Sequence, residues 1–171
     1  MTSLEIQDAY TTPLTIFKDH RGSFARFFDF AESKSSSCSQ ISYACNTNSY
    51  TLRGMHSQSE PFSESKVISC ISGSALDILV DLRPSSPTFR SVSTIQLDSE
   101  DPISIFVPRG VFHGYLTLQP NTTLLYLIDT PYQPSASIGF RYDDPLINHL
   151  WPCIPETISS RDKALPFIND L

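Results

Sequence analysis

The sequence lacks the features of several large classes of protein. It has no run of basic residues, and 12 Lys and Arg against 18 Asp and Glu give a net charge of -6, which leaves no electrostatic footprint for nucleic acid or an anionic membrane. Its longest apolar stretches, such as residues 124–128, are far shorter than the ~20 residues of a spanning helix. Glu5 and Asp8 stand where a basic and then apolar leader would be. We therefore expect a cytoplasmic protein that binds neither nucleic acid nor membrane.

Cysteine and glycine are also scarce. The four cysteines include no CxxC pair, which argues against a zinc knuckle or a disulfide framework. Hydrophobic residues make up 40% of the 171 residues, which is enough apolar material for a packed core of ordinary size. We expect one domain that spans residues 1–171.

Short β-type runs, separated by turn clusters, dominate what is present. The 13 prolines are spread so widely that hardly any segment of more than about a dozen residues can form an uninterrupted amphipathic helix. The runs are residues 66–72, 75–83, 91–97, 103–107, 114–118 and 122–129. Many short strands without long helices predict an all-β sandwich or barrel, with a jelly roll favoured. Beyond residue 130 the pattern predicts a tail that wraps the barrel, with a helical turn after Asp144.

Alternation within these runs predicts which side chains share a face. In residues 75–83 one face is apolar, and the other carries Asp77 and Asp81. In residues 122–128 the same alternation puts Tyr126 among apolar neighbours, where its hydroxyl needs a hydrogen-bond partner.

Two of the four histidines lie in suggestive motifs. His113 ends a PxGxxH segment, which is the second half-motif of the cupin barrel, where this histidine points into the barrel mouth. Metal-binding cupins carry HxH followed by Glu in the first half-motif, whereas this chain has His56, Ser57 and Gln58. One imidazole ligand is therefore missing, and we expect no metal. The alternative is a weak metal site built from His56, His113, Gln58 and either Glu60 or Glu64.

Taken together, residues 19–162 resemble the dTDP-4-dehydrorhamnose 3,5-epimerase family, the RmlC-like cupins. The matching segments, in order and with near-family spacing, are DHRGSF at 19–24, TLRGMHSQ at 51–58, VDLRPSSPTF at 80–89, VPRGVFHGY at 107–115 and ISSRD at 158–162. The resemblance implies a cupin jelly-roll barrel with a short, partly helical C-terminal tail. It also implies a homodimer and an isomerase that uses no cofactor.

The resemblance assigns a role to each candidate residue. His56 would be the base, supported by Asp162, and Tyr126, thirteen residues after His113, would be the acid. Lys66, ten residues after the base, would stabilise the enolate oxygen. The remaining roles fall to binding residues: the phosphate ligand Arg21, the pyrimidine ligand Gln40, the stacking residue Tyr132, and Arg53 and His113 near the enolate. Arg109 in the PRG turn is a second candidate phosphate ligand, because a guanidinium suits phosphate oxygens.

The implied reaction is inversion of C3 in a nucleotide-linked 4-keto-6-deoxyhexose, with C5 left open, for a surface polysaccharide such as an O antigen of lipopolysaccharide. This chemistry needs a base, an acid across the ring and an electrophile at the ketone. Arg26, Ser42 and Ser57 depart from the family pattern, so the nucleotide and the sugar stay open. The alternatives are a metal-dependent cupin oxygenase or isomerase and a non-catalytic sugar-nucleotide binding module.

Overall fold

Strands make up most of the regular structure. The computed structural model describes residues 1–29 and 38–171. Its strands are β1 Thr2–Ser3, β2 Tyr10–Pro13, β3 Thr15–Asp19, β4 Gly22–Arg26, β5 Gln40–Asn46, β6 Thr51–Gln58, β7 Lys66–Ser72, β8 Ser74–Asp81, β9 Val92–Asp98, β10 Ile103–Val107, β11 Val111–Thr117, β12 Thr122–Ile128, β13 Ser137–Gly139 and β14 Thr157–Ile158. One short helix, α1 Ser160–Lys163, and 3₁₀ turns at Pro134–Ala136, Asn148–Leu150 and Ile168–Asp170 complete these ranges.

The strands form two sheets that pack face to face. The first sheet has the order β1-β2-β10-β7-β12-β5, and the second has the order β13-β6-β11-β8-β9, with β14 added parallel to β6. Apolar side chains from both sheets, such as Ile68, Leu79 and Leu124, meet in one buried cluster between them. Strands β3 and β4 form a separate hairpin. The predicted all-β fold is confirmed.

The tail after residue 130 covers the outer face of the second sheet. Its residues Phe140, Ile147 and Trp151 pack with Leu52 and Ile78 of that sheet in a second cluster. The predicted helical turn is present, because the Asp144 carboxylate accepts the Leu146 N–H ahead of the 3₁₀ turn at Asn148–Leu150. None of the helices in residues 1–29 and 38–171 has the length and apolar content to span a bilayer.

The charged face predicted for residues 75–83 is buried. Strand β8 has β11 on one side and β9 on the other, and each of its faces contacts an apolar cluster, through Leu79 on one and Ile78 on the other. Asp77 and Asp81 are therefore inaccessible to solvent. Alternation separated the two faces correctly, but it could not show that the tail and the opposite sheet cover both of them.

Asp81 holds the loop that follows β8. Its carboxylate accepts hydrogen bonds from the backbone and guanidinium of Arg83 and from the hydroxyl groups of Ser86 and Thr88, at 2.6–3.0 Å. Burial raises the pKa of this carboxyl, but the hydrogen bonds outweigh burial and bring the pKa down to about 2. Asp81 is thus a buried anion whose charge is fully compensated by the loop.

Two glycines let β6 and β11 approach each other closely. Gly54 has φ of 133°, and a Cβ placed on it would lie 2.5 Å from the Gly114 Cα. A Cβ on Gly114 would lie 2.6 Å from the Met55 Sδ. Side chains therefore do not fit at this contact, and the pairing of β6 with β11 shifts register here, between His113 and Tyr115.

Candidate active site

A cavity of about 730 Å³ opens between the two sheets and the tail. The four residues predicted to be catalytic, His56, Lys66, Tyr126 and Asp162, all line it. Four of the six predicted binding residues also line it, namely Gln40, Arg53, His113 and Tyr132. The fold thus brings together side chains that lie up to 122 positions apart, from Gln40 to Asp162.

His56 and Asp162 form a hydrogen-bonded pair. The His56 Nε2 lies 2.8 Å from Asp162 Oδ1, and Asp162 Oδ2 accepts the Gly54 N–H at 3.3 Å. Asp162 lies in α1, whose first turn is capped by the Ser159 hydroxyl. Burial raises the pKa of Asp162, but its hydrogen bonds, chiefly with His56, lower it below its ordinary value overall. Asp162 is therefore an ionised partner that orients the imidazole.

Tyr126 faces this pair from the opposite sheet. It lies on β12 in the first sheet, whereas His56 lies on β6 in the second. Burial, followed by the neighbouring Tyr115 and Asp77, raises the pKa of the Tyr126 phenol well above its ordinary value. Tyr126 is thus a protonated phenol that interacts with the Tyr115 hydroxyl, which itself donates to Asn46 at 3.2 Å.

Lys66 carries its charge inside the cavity beside a carboxylate. Its Nζ lies 2.8 Å from Glu64 Oε1, and both side chains are nearly buried, with 11% and 4% of their surface exposed. An ammonium in such a place is retained when it is paired with an anion. The pair therefore puts a fixed positive charge against the cavity.

His113 lies next to His56 because the two residues are directly paired between β11 and β6. Its ring centroid is 6.0 Å from that of Tyr126. The Nδ1 atom lies 3.5 Å from Oδ2 of the buried Asp77. Burial lowers the pKa of His113 well below its ordinary value, with further lowering by Lys66 and His56 and partial opposition from Glu64. The imidazole is therefore neutral.

Four residues that line the cavity, which we call the rim, are Gln40, Ser42, Tyr132 and Arg161; the first two are half-buried and the last two are exposed. The Gln40 amide donates to the Ser42 hydroxyl at 2.8 Å, and its oxygen accepts the Tyr132 N–H at 3.3 Å. Arg161 donates to Ser137 at 2.6 Å. Arg53, which is also exposed and lines the cavity, donates to the Asn46 side chain at 3.0 Å. The rim thus offers an amide, a phenol and a guanidinium.

Two predicted binding residues lie outside this cavity. Arg21 lies in the turn of the β3–β4 hairpin, with 78% of its side chain exposed, and pairs with Asp19 at 2.6 Å. Arg109 binds the Asp129 carboxylate at 2.8 Å and donates to the Ser63 carbonyl. Its guanidinium therefore links two loops and is not free to bind phosphate in the cavity of its own chain.

Sequence reasoning missed two charged residues of the site and gave another no catalytic role. The sequence predicts Asp77 on a charged face without a function, and the ISSRD segment gives Arg161 no role. Glu64 matches the family beside Lys66, but the only role predicted for it is in the alternative metal site. The one available signal was for Arg161, which precedes Asp162 directly. The positions of Asp77 and Glu64 depend on how the two sheets pack together.

Three of the alternative metal ligands, His56, Gln58 and Glu64, are engaged in other contacts. His56 and Glu64 form the pairs described above, and the buried Gln58 amide bonds the Phe62 carbonyl and the Gln133 N–H. Glu60 is exposed. Within residues 1–29 and 38–171, no group of three or more His, Cys, Asp or Glu side chains is arranged to hold a metal ion.

Known proteins resemble this chain over nearly all of its length. The family model described as dTDP-4-dehydrorhamnose 3,5-epimerase matches residues 3–170. A dTDP-4-dehydrorhamnose 3,5-epimerase of Mycobacterium tuberculosis is 33% identical over 175 residues, covering 98% of this chain and 87% of the relative. A solved epimerase structure from the same organism has a TM-score of 0.93 at 32% identity, covering 99% and 88% of the two chains. A 3'-monoepimerase from Streptomyces bikiniensis, solved with dTDP-quinovose, has a TM-score of 0.91 at 28% identity and the same coverage. These matches confirm the predicted cupin jelly-roll fold.

Proposed function

Because this chain belongs to the dTDP-4-dehydrorhamnose 3,5-epimerase family, we propose that it inverts C3 of a nucleotide-linked 4-keto-6-deoxyhexose with the residues of this cavity. The chain is an isomerase and a sugar-nucleotide epimerase of deoxysugar biosynthesis. The reaction removes a proton from the carbon beside a ketone and returns a proton to the opposite face of that carbon. No net oxidation or reduction takes place, so the reaction needs no redox cofactor. Both 3,5-epimerases and a 3'-monoepimerase are similar to this chain. The proposal therefore covers C3, and the exchange experiment below tests whether C5 is inverted as well.

His56 is the proposed base. The ionised Asp162 accepts a hydrogen bond from Nε2–H at 2.8 Å, and this tautomer leaves the lone pair on Nδ1 to accept the C3 proton. Asp162 also stabilises the imidazolium that forms when the proton is taken. A positioned base of this kind contributes roughly 10²- to 10⁴-fold to the rate.

Lys66 is the proposed partner of the developing enolate oxygen. Loss of the C3 proton moves negative charge onto the ketone oxygen, and a fixed cation in a cavity with little water stabilises that charge strongly. Glu64 holds the ammonium in place at 2.8 Å. Arg53 lines the same cavity and supplies a second positive charge nearby.

Tyr126 is the proposed acid. Its raised pKa keeps the phenol protonated, so it has a proton to donate. Because Tyr126 and His56 come from sheets that face each other, a sugar ring between them has the base on one side and the acid on the other. This opposed arrangement supports inversion and is the single observation that carries the proposal.

The rim is the proposed site for the nucleotide. Gln40 offers a donor and an acceptor to a pyrimidine edge, and the half-exposed Tyr132 offers a face for stacking. Arg161 also lines the cavity, and a guanidinium suits phosphate oxygens. We assign the diphosphate to this arginine in place of Arg109.

A homodimer is the proposed assembly. Ile41 and Tyr43 project from the edge strand β5 with 68% and 72% of their surface exposed, and Phe17 and Phe24 of the β3–β4 hairpin are exposed as well. Pairing of two copies would cover such apolar surface. Because Arg21 lies outside the cavity of its own chain, a contact with the nucleotide requires the cavity of a partner copy.

Three wider expectations also stay proposals. We propose that residues 1–171 act as one domain and that the protein works in the cytoplasm. We also propose that its product is a deoxysugar for a surface polysaccharide. The first of these is supported by the tail, since α1 supplies Asp162 to a cavity built by both sheets.

Solvent exchange tests the proposed reaction. The protein is incubated in D₂O with dTDP-, CDP- and GDP-linked 4-keto-6-deoxyhexoses, and deuterium at C3 and C5 is followed by NMR. We expect deuterium at C3. His56→Ala should abolish exchange without weakening binding or lowering the melting temperature, whereas the exposed His149→Ala serves as a matched control and should exchange normally. Binding without exchange for every sugar would favour the non-catalytic module, and bound stoichiometric metal would favour the metal cupin.

A further inference from the structure

Three buried polar atoms without hydrogen-bond partners meet beside the cavity. They are both carboxyl oxygens of Asp77 and Nδ1 of His113, and within residues 1–29 and 38–171 none of them makes a hydrogen bond of good geometry. Asp77 Oδ2 lies 3.5 Å from His113 Nδ1. Buried polar groups in native proteins are nearly always satisfied, so these atoms indicate an interaction that the site uses.

Asp77 is not placed as an anion would be. Its side chain is fully buried on β8, and no backbone N–H, hydroxyl or guanidinium in the described part of the chain donates to it. Asp81, two residues along the same strand, shows the contrast, because four donor groups surround its carboxylate. Burial raises the pKa of Asp77 well above its ordinary value, with Lys66 in partial opposition. A neutral carboxylic acid fits this position, and it has one O–H to donate.

His113 offers the matching acceptor. Its Nδ1 is enclosed beside Asp77, so Nε2 is the ring nitrogen available to the cavity that His113 lines. The charged groups near the ring include the Lys66 ammonium, which disfavours a second cation there, as the lowered pKa of His113 reflects. A neutral imidazole carries one proton, and the hydrogen bond at one nitrogen decides which nitrogen holds it.

We propose that Asp77 is a positioning residue that donates a hydrogen bond from its neutral carboxyl group to Nδ1 of His113. The proton of the imidazole is then held on Nε2, where it points to the enolate oxygen of the substrate. This inference rests on the proposed function, and it makes His113 a neutral donor that acts together with the Lys66 ammonium. If Asp77 were ionised beside a neutral His113, it would draw the proton to Nδ1 and turn a lone pair towards the enolate, which would oppose the reaction.

A neutral donor has a specific advantage in this cavity. The site already holds the positive charge of Lys66 against the negative charge of Glu64. An imidazolium at His113 would be repelled by Lys66, whereas a neutral N–H adds stabilisation where negative charge develops. Neutral imidazoles and protonated buried carboxyl groups are both known to serve as such donors in enzymes.

The first experiment measures the tautomer directly. The full-length protein is labelled with ¹⁵N-histidine, and His113 is assigned by comparison with His113→Gln in long-range ¹H–¹⁵N spectra at pH 7. We expect a protonated Nε2 and an Nδ1 shift typical of a hydrogen-bond acceptor. A proton on Nδ1 would overturn the proposal. This readout does not depend on turnover, so it stands even if no nucleotide sugar exchanges deuterium and the proposed function fails.

The second experiment compares two substitutions of similar size. Asp77→Asn keeps a donor, through Nδ2–H, and should hold kcat for C3 exchange within roughly tenfold of the wild type. Asp77→Leu removes the donor and should lower kcat by roughly 10²- to 10³-fold with little change in KM. If a folded Asp77→Asn loses as much activity as Asp77→Leu, the negative charge is required and the proposal is wrong. If Asp77→Leu does not fold, the wild-type tautomer and Asp77→Asn still decide the question.

Discussion

Replacing Asp162 by asparagine tests the proposed base through its partner. The carboxylate accepts from His56 Nε2 at 2.8 Å and from the Gly54 N–H at 3.3 Å. In Asp162→Asn the amide oxygen can keep the Gly54 contact, but the amide nitrogen then faces His56 and can only donate. The imidazole must move its proton from Nε2 to Nδ1, so the nitrogen proposed to accept the C3 proton is blocked.

The expected effect is large on catalysis and small on stability. A wrong tautomer at a dyad of this type lowers kcat by about 10³- to 10⁴-fold, or about 4–5.5 kcal/mol of barrier. Both hydrogen bonds keep a partner, so the free energy of unfolding should change by less than about 1.5 kcal/mol. The measurements are deuterium incorporation at C3 by NMR, titration with dTDP and urea denaturation.

Asp170→Asn is the matched control, because Asp170 is exposed in the 3₁₀ turn that follows α1. It should leave exchange, binding and stability unchanged. If Asp162→Asn exchanges deuterium at more than a tenth of the wild-type rate, Asp162 does not orient the His56 imidazole as proposed. The same conclusion follows if its loss of activity is fully matched by a loss of folded protein.

Three further substitutions probe the rim, the loop after β8 and the contact between β6 and β11. Arg161→Met should raise KM for the nucleotide sugar about tenfold or more with kcat little changed, while the neighbouring Lys163→Met leaves both constants unchanged. Asp81→Asn should cost about 2 kcal/mol of unfolding free energy at pH 7, from the depression of its pKa from 3.8 to about 2. Because a depressed pKa stabilises the fold above the ordinary pKa, this difference should shrink as the pH falls from about 4 to about 2 in urea titrations. Gly114→Ala should lower stability by roughly 1–3 kcal/mol in the same assay, since its Cβ would lie 2.6 Å from the Met55 Sδ.

Strands β7 to β12, which build most of the apolar core, could be predicted from sequence, whereas β5 and β6 could not. Strands β7 to β12 all overlap runs recognised by alternation, and β7 and β10 match them residue for residue. Strands β5 and β6 do not, because Gln40, Ser42, Arg53 and His56 face the cavity where apolar side chains would otherwise stand. Polar residues needed in the cavity thus interrupt the alternation of apolar and polar side chains by which these two strands would be recognised.

The grouping of His56, Tyr126 and Asp162 followed from motif resemblance, since residues so far apart in sequence show no local signal of contact. Their catalytic roles stay predictions. Arg109 shows the limit of reasoning from residue type, because a guanidinium in a turn suits a phosphate ligand, whereas the fold brings the Asp129 carboxylate to 2.8 Å from it. Asp77 shows the opposite limit, since the sequence does not reveal that this strand carboxyl is buried and receives no hydrogen bond from the described residues.

The contact between Gly54 and Gly114 has a consequence for how such enzymes diversify. The two backbones touch where His56 and His113 are paired, so a side chain added at either glycine would displace the strands that hold these two histidines. The rim is built differently. It consists of the side chains of Gln40, Ser42, Tyr132 and Arg161, and each of these can be replaced without moving the backbone of the strands below. Substitutions at the rim can therefore change which nucleotide or sugar such an enzyme binds, while the residues that carry out the reaction stay the same.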